Sequence, residues 1–135
     1  MGLAERRIVK DFQDNHLPTL KKQVDEAAGF EVPLEVNWES LSANEYSHVW
    51  LETWPKLYFQ PLIIALKHIT QDDMGKEALH ESLKKIVIQD KSGAYYGDTW
   101  SHFEGGTLTL DHSFTNSDNI DDRTEGLTKT LEKAL

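Results

Sequence analysis

Apolar positions recur along this chain with two different periods, and the change of period divides it into elements. From residue 3 to about 28, Val9, Phe12, His16, Leu20, Val24 and Ala27 step round at helical spacing. Pro18 falls inside that stretch, where it removes one amide and crowds the carbonyl of Asp14. The stripe keeps its phase across Pro18, which predicts one bent helix rather than two. Gly29 is placed to end it, because glycine readily takes the left-handed conformation after a helix. Val32, Leu34, Val36 and Trp38 then alternate with Pro33, Glu35 and Asn37, the signature of a half-buried strand. Pro33 has no amide for a ladder, so this strand belongs at a sheet edge.

Tyr46, Trp50, Trp54 and Tyr58 follow at every fourth position and predict an aromatic helix face. Ser42 and Glu45 have the spacing of a capping box that would open this helix. Pro55 lies within it and predicts a bend or break near Trp54, with Tyr46 and Trp50 on one segment and Tyr58 on the next. The run Leu62-Ile63-Ile64-Ala65-Leu66 is apolar on all sides, the pattern of a central helix. Residues 72–85 form a further helix, with Thr70 as its cap.

The period then shortens. Ile86-Val87-Ile88 reads as a strand, Ser92-Gly93 as a turn, and residues 95–103 and 107–112 as strands flanking Gly105-Gly106. Two glycines supply the two positive φ values of a type I′ hairpin turn. That turn sets a register in which Glu104 faces Thr107, Phe103 faces Leu108, His102 faces Thr109, Ser101 faces Leu110 and Trp100 faces Asp111. Residues 118–135 close the chain as a helix, acidic at its start and carrying Lys129 and Lys133 near its end, as the helix dipole favours. The predicted order is α-β-α-α-β-β-β-α. It describes an α+β fold: a small, mainly antiparallel sheet of three or four strands, one N-terminal strand plus a C-terminal β-meander, packed by about four helices. No linker or repeat divides residues 1–135, so a single domain is expected.

Composition narrows the chemistry. Cysteine is absent, which excludes disulfides, thiolate metal sites and a cysteine nucleophile and fits a cytoplasmic location. Fourteen basic against 23 acidic residues leave a net charge of −9, unfavourable for nucleic acid and favourable for a basic protein partner. No apolar run approaches the ~20 residues of a membrane span, and no membrane association is expected.

The hairpin register supplies the first candidate surface. It puts Trp100, His102 and Asp111 on one sheet face, with His112 on the other, so His102 and His112 do not form a metal pair. Trp54 is a second candidate, exposed if the helix bends there and buried if it is a wall of the core. Glu45, His48 and Glu52 resemble half of a di-iron carboxylate site in spacing, but a second Glu-x-x-His is missing. His80-Glu81 lacks the second histidine of a zinc-protease helix, since Lys84 stands in its place. The acidic stretch 116–122 puts Ile120 where a calcium loop needs an oxygen ligand. No phosphate-cradling glycine loop or nucleophile elbow is present. The sequence therefore assigns no catalytic residue, metal or cofactor. It favours a non-enzymatic protein-binding or regulatory protein, of inhibitor or immunity type. Two alternatives stand beside it: a small-ligand binder or enzyme using the His102/Asp111 face or an aromatic-lined pocket, and a structural subunit of a homo-oligomer.

Overall fold

The structure, a computed structural model, describes residues 2–135. Helices α1 (Leu3–Asn15) and α2 (Leu17–Ala28) open it, followed by β1 (Leu34–Val36) and the single-turn α3 (Trp38–Leu41). A 3-10 turn (Ser47–Val49) leads into α4 (Trp50–Trp54), a π turn (Pro55–Phe59) and α5 (Gln60–Ile69), which run on as one rod. Helix α6 (Asp73–Ser82), strands β2 (Lys85–Gln89), β3 (Ser101–Glu104) and β4 (Thr107–Asp111), and helix α7 (Ile120–Ala134) complete the chain. With α4, the π turn and α5 taken as one helix, the order is α-α-β-α-α-α-β-β-β-α.

The fold is α+β as expected, but the sheet is mixed. Its strand order is β1-β2-β4-β3. Strand β2 pairs in parallel with both β1 and β4, and only β3 and β4 are antiparallel. The C-terminal strands are thus not a meander. The chain leaves β2 through a long irregular segment, places β3 outside, and returns through the hairpin so that β4 fills the position beside β2. A crossover of this length is what a parallel pair requires. The hairpin has the register that Gly105-Gly106 implied, from Ser101 opposite Leu110 to Glu104 opposite Thr107. Both glycines have positive φ, 59° and 84°. Strand β1 lies at an edge, with Pro33 at its start.

Helices cover one face of the sheet only. Ile86, Ile88, Leu108 and Leu110 are fully buried beneath them. Glu35, Lys85, Val87, His102, Thr107 and Thr109 alternate with these and form the open face. Glu35 and Lys85 pair across β1 and β2 on that face at 3.6 Å. A one-sided sheet explains why its strands alternate in polarity despite their parallel pairing.

Several local expectations are corrected. The first helix is two helices, broken at His16 (φ −120°, ψ −45°), with Pro18 accommodated near the start of α2. Proline is tolerated there because the first-turn amides have no helical partner. The first strand stops at Val36, because the Asn37 side chain accepts from the Ser40 amide and starts α3 with Trp38 inside it. Ser42 does not open the aromatic helix; its hydroxyl donates to the Trp38 carbonyl and helps end α3. Asp72, not Thr70, caps α6 by accepting from the Gly75 amide. The Thr70 hydroxyl instead donates to the carbonyls of Ala27 and Leu66, tying α5 to α2.

The aromatic rod carries the core. Tyr46 lies outside it, while Trp50, Trp54 and Tyr58 are buried. Trp54 is fully buried, packed edge-on against Phe12 at 5.2 Å and stacked on Trp50 at 5.2 Å. Two prolines sit six residues apart in this rod, and each withholds an amide from an α-helical ladder. The π turn between them widens the step, so that the Gln60 amide donates to the Pro55 carbonyl and the rod continues. Trp54 is thus part of the core wall and offers no surface to a ligand. Replacing it with alanine is expected to lower stability by about 3–5 kcal/mol, as for other buried aromatics. Urea denaturation of Trp54→Ala measures this, and an unchanged midpoint would contradict the burial.

Candidate functional site

The parallel pairing gives three strands a common end. Strands β1, β2 and β4 finish at Val36, Gln89 and Asp111 on one edge of the sheet, and antiparallel β3 begins there at Ser101. The segments 37–49, 90–100 and 112–119 therefore gather at that edge. In open sheets with parallel strands, the carboxyl ends are where ligands are commonly held.

Polar side chains knit these segments together. The Asp111 carboxylate is buried and accepts from the amides of Lys91 and Ser92 (2.9 and 3.0 Å) and from Gln89 Nε2 (2.9 Å). Burial pushes its pKa up, but the donors from Ser92, Lys91 and Gln89 outweigh burial and leave it lowered. Asp90 stands next to it, half-buried. Its amide donates to Ser40 Oγ at 3.1 Å. Burial, followed by the charge of Asp111, raises Asp90 from the ordinary 3.8 to about 6. Buried Tyr58 lies behind the pair, its hydroxyl donating to the His112 carbonyl at 2.8 Å. Burial and then the charges of Asp90 and Asp111 push that phenol well above its usual range.

His112 is fully buried, with Nδ1 2.6 Å from the Ser113 carbonyl and Nε2 3.1 Å from the Tyr95 carbonyl. Only an imidazolium donates through both nitrogens. Burial nevertheless lowers its pKa, with the two carbonyls opposing and nearby Arg123 adding to the lowering. Arg123 is also fully buried. It donates to three backbone carbonyls: Nη1 to Asn116 at 2.7 Å, and Nη2 to Ser117 at 2.8 Å and to Lys56 at 3.2 Å.

This frame presents aromatic side chains to solvent. Tyr95 and Tyr96 are 45% and 62% exposed and pack edge-to-face at 4.9 Å. Tyr46, 44% exposed, stacks on Phe114 at 5.0 Å with the rings 6° from parallel. The segment carrying Tyr95 and Tyr96 is pinned from both sides. The Tyr95 carbonyl accepts from Asn116 Nδ2 at 2.7 Å, and the Gly97 amide donates to Asp122 Oδ2 at 2.8 Å. Gly97 and Gly126 meet backbone to backbone: a Cβ on Gly126 would lie 1.8 Å from the Gly97 carbonyl oxygen.

The patch of Trp100, His102 and Asp111 does not form as a shared surface. The Trp100 carbonyl does accept from the Asp111 amide at 2.8 Å, as the register requires. Its ring, however, turns out of the strand and is fully buried under α7, donating from Nε1 to the Arg123 carbonyl at 2.9 Å. His102 is exposed on the open face, and Asp111 is occupied with the loop amides. Reasoning from the sequence missed Asp90, Tyr95, Tyr96, Tyr46 and Arg123. Asp90 directly follows the Ile86-Val87-Ile88 run, and a parallel reading of that strand would have placed it at a ligand edge. Among the described residues, no group of three or more histidines or carboxylates is placed to hold a metal ion, and no helix is long and apolar enough to cross a membrane. The chain matches no protein-family model, no curated protein and no solved structure.

The shift at Asp90 has a definite sign. Its folded pKa of about 6 lies above the ordinary 3.8, so its charge destabilises the fold above pH 6. That destabilisation is relieved as pH falls from about 6 toward 3.8. Asp111 acts oppositely: its contribution is present above 3.8 and is lost as pH falls below its lowered folded pKa. Asp90→Asn is therefore expected to be more stable than the parent at pH 7, with a flatter dependence between pH 6 and 3.8. Denaturation midpoints across that range measure this, and parallel curves for the two proteins would contradict it.

Proposed function

We propose that the protein acts by binding another protein through the strand-end edge, without chemistry of its own, and that its partner is basic. The observation that carries this reading is the set of exposed tyrosines, Tyr46, Tyr95 and Tyr96, on the same strand-end segments as half-buried Asp90, in a chain of net charge −9. Tyrosine supplies large contact area at small entropic cost and is enriched in interfaces. Its ring face and a neighbouring carboxylate both attract lysine and arginine. The frame beneath is held by buried hydrogen bonds, so little ordering is needed on association. An inhibitor that covers a basic target, as an immunity protein does, is one form this function takes.

The pair Asp90 and Asp111 favours a second reading. One carboxyl is raised and its neighbour lowered, the arrangement by which a site separates an acid from a base. On that reading the edge binds a small cationic ligand or works on a substrate, with Asp90 as the proton donor.

Affinity capture from the native host separates the two. The parent protein is expected to retain a basic protein that is released by salt and is lost from a Tyr95→Ser/Tyr96→Ser variant. Retention of only small molecules, or of the same protein by both forms, would overturn the proposal.

A further inference from the structure

The run Leu62 to Leu66 has the pattern of a fully buried helix, yet the monomer buries it only in part. Leu62, Ala65 and Leu66 are fully enclosed, Ile63 is half-buried, and Ile64 is 48% exposed. Ile63 and Ile64 line a groove of about 480 Å³ between α5 and α2, together with Glu26, Ala27, Gln60 and Lys67. The groove has walls of opposite sign. Glu26 stands on the α2 wall and Lys67 on the α5 wall, both exposed, and neither forms an ion pair with another described residue.

We infer that this groove is the contact between two copies of the chain. A twofold pairing is isologous, so a contact of residue 26 of one copy with residue 67 of the other is made twice. Glu26 and Lys67 are complementary under that operation, forming two identical ion pairs about a centre where the Ile64 side chains meet. A second copy thus supplies the burial that the run's pattern calls for. The charges at the rim fix the register, and an apolar centre with a polar rim is the usual anatomy of an interface. The groove lies on the helical layer, away from the strand-end edge, so both surfaces can be occupied together.

Sedimentation velocity over a concentration series tests the pairing. The parent chain is expected to dimerise as concentration rises. Ile64→Lys, at an exposed position, is expected to remain folded by circular dichroism and to stay monomeric. Glu26→Lys alone and Lys67→Glu alone each set like charges against each other across the axis, and each is expected to associate about tenfold or more weakly. Mixing these two variants restores both opposite-charge contacts, so the mixture is expected to form a heterodimer that neither forms as a homodimer. A parent that stays monomeric, an Ile64→Lys variant that still dimerises, or a mixture that does not associate would each overturn the inference.

Discussion

The buried guanidinium of Arg123 is the constraint on which the loop edge depends. It sits on α7, a cation away from water, and no carboxylate lies within ion-pair distance of it. Burial lowers its pKa, while the charges of Asp122, Tyr58 and Asp118 act in the other direction. Its stabilisation is by backbone: the carbonyls of Asn116, Ser117 and Lys56 accept from it, and only Nε lacks a partner. Two separate parts of the chain, the π turn at Lys56 and the adjacent pair Asn116 and Ser117, therefore converge on one side chain. Its own carbonyl accepts from Trp100, which adds the approach to β3.

Around this centre the architecture follows from a few local decisions. The paired prolines 55 and 61 force a π turn, and the rod that survives carries Trp50, Trp54, Tyr58 and Leu62 into the core. The long path from β2 to β4 makes their pairing parallel, and parallel pairing gives three strands a common end. Asp111 then holds the amides of Lys91 and Ser92, the Asp90 amide is held by Ser40, and the contact of Gly97 with Gly126 sets the loop against α7. The exposed tyrosines are a consequence of this frame, held through their backbone and their neighbours rather than through their hydroxyls.

Much of the fold was legible in the residues where the signal is local. Gly105-Gly106 set the hairpin register, Gly29 stopped α2, and Pro33 put β1 at an edge. Strand order was not legible, because the alternation in Lys85–Gln89 and Thr107–Asp111 reports one covered face and says nothing of strand direction. Helix ends were misplaced where cap-type residues lay close together: Ser42 ends α3 rather than opening the aromatic helix, and Asp72 rather than Thr70 caps α6. The candidate site was less legible than the fold. Trp100 was placed correctly by backbone register, but its ring escapes the strand's alternation just before β3 begins. Arg123 continues the buried Leu127 and Leu131 edge of α7 one turn earlier, but a charged side chain among acidic neighbours hides it from a pattern read on apolar residues. Asp90, Tyr95 and Tyr96 acquire their relation only through the parallel topology.

A surface meant for recognition needs exposed groups on a rigid support, and the buried polar network supplies that support here. The most direct test is amide hydrogen exchange in Arg123→Met, which keeps apolar volume but removes the three donors. Faster exchange is expected at Ser113, whose amide donates to the Ala94 carbonyl, with protection at Ile86 and Asp111 in the sheet unchanged. Unaltered protection throughout, or an equal loss across loop and sheet, would contradict the claim that Arg123 organises the edge.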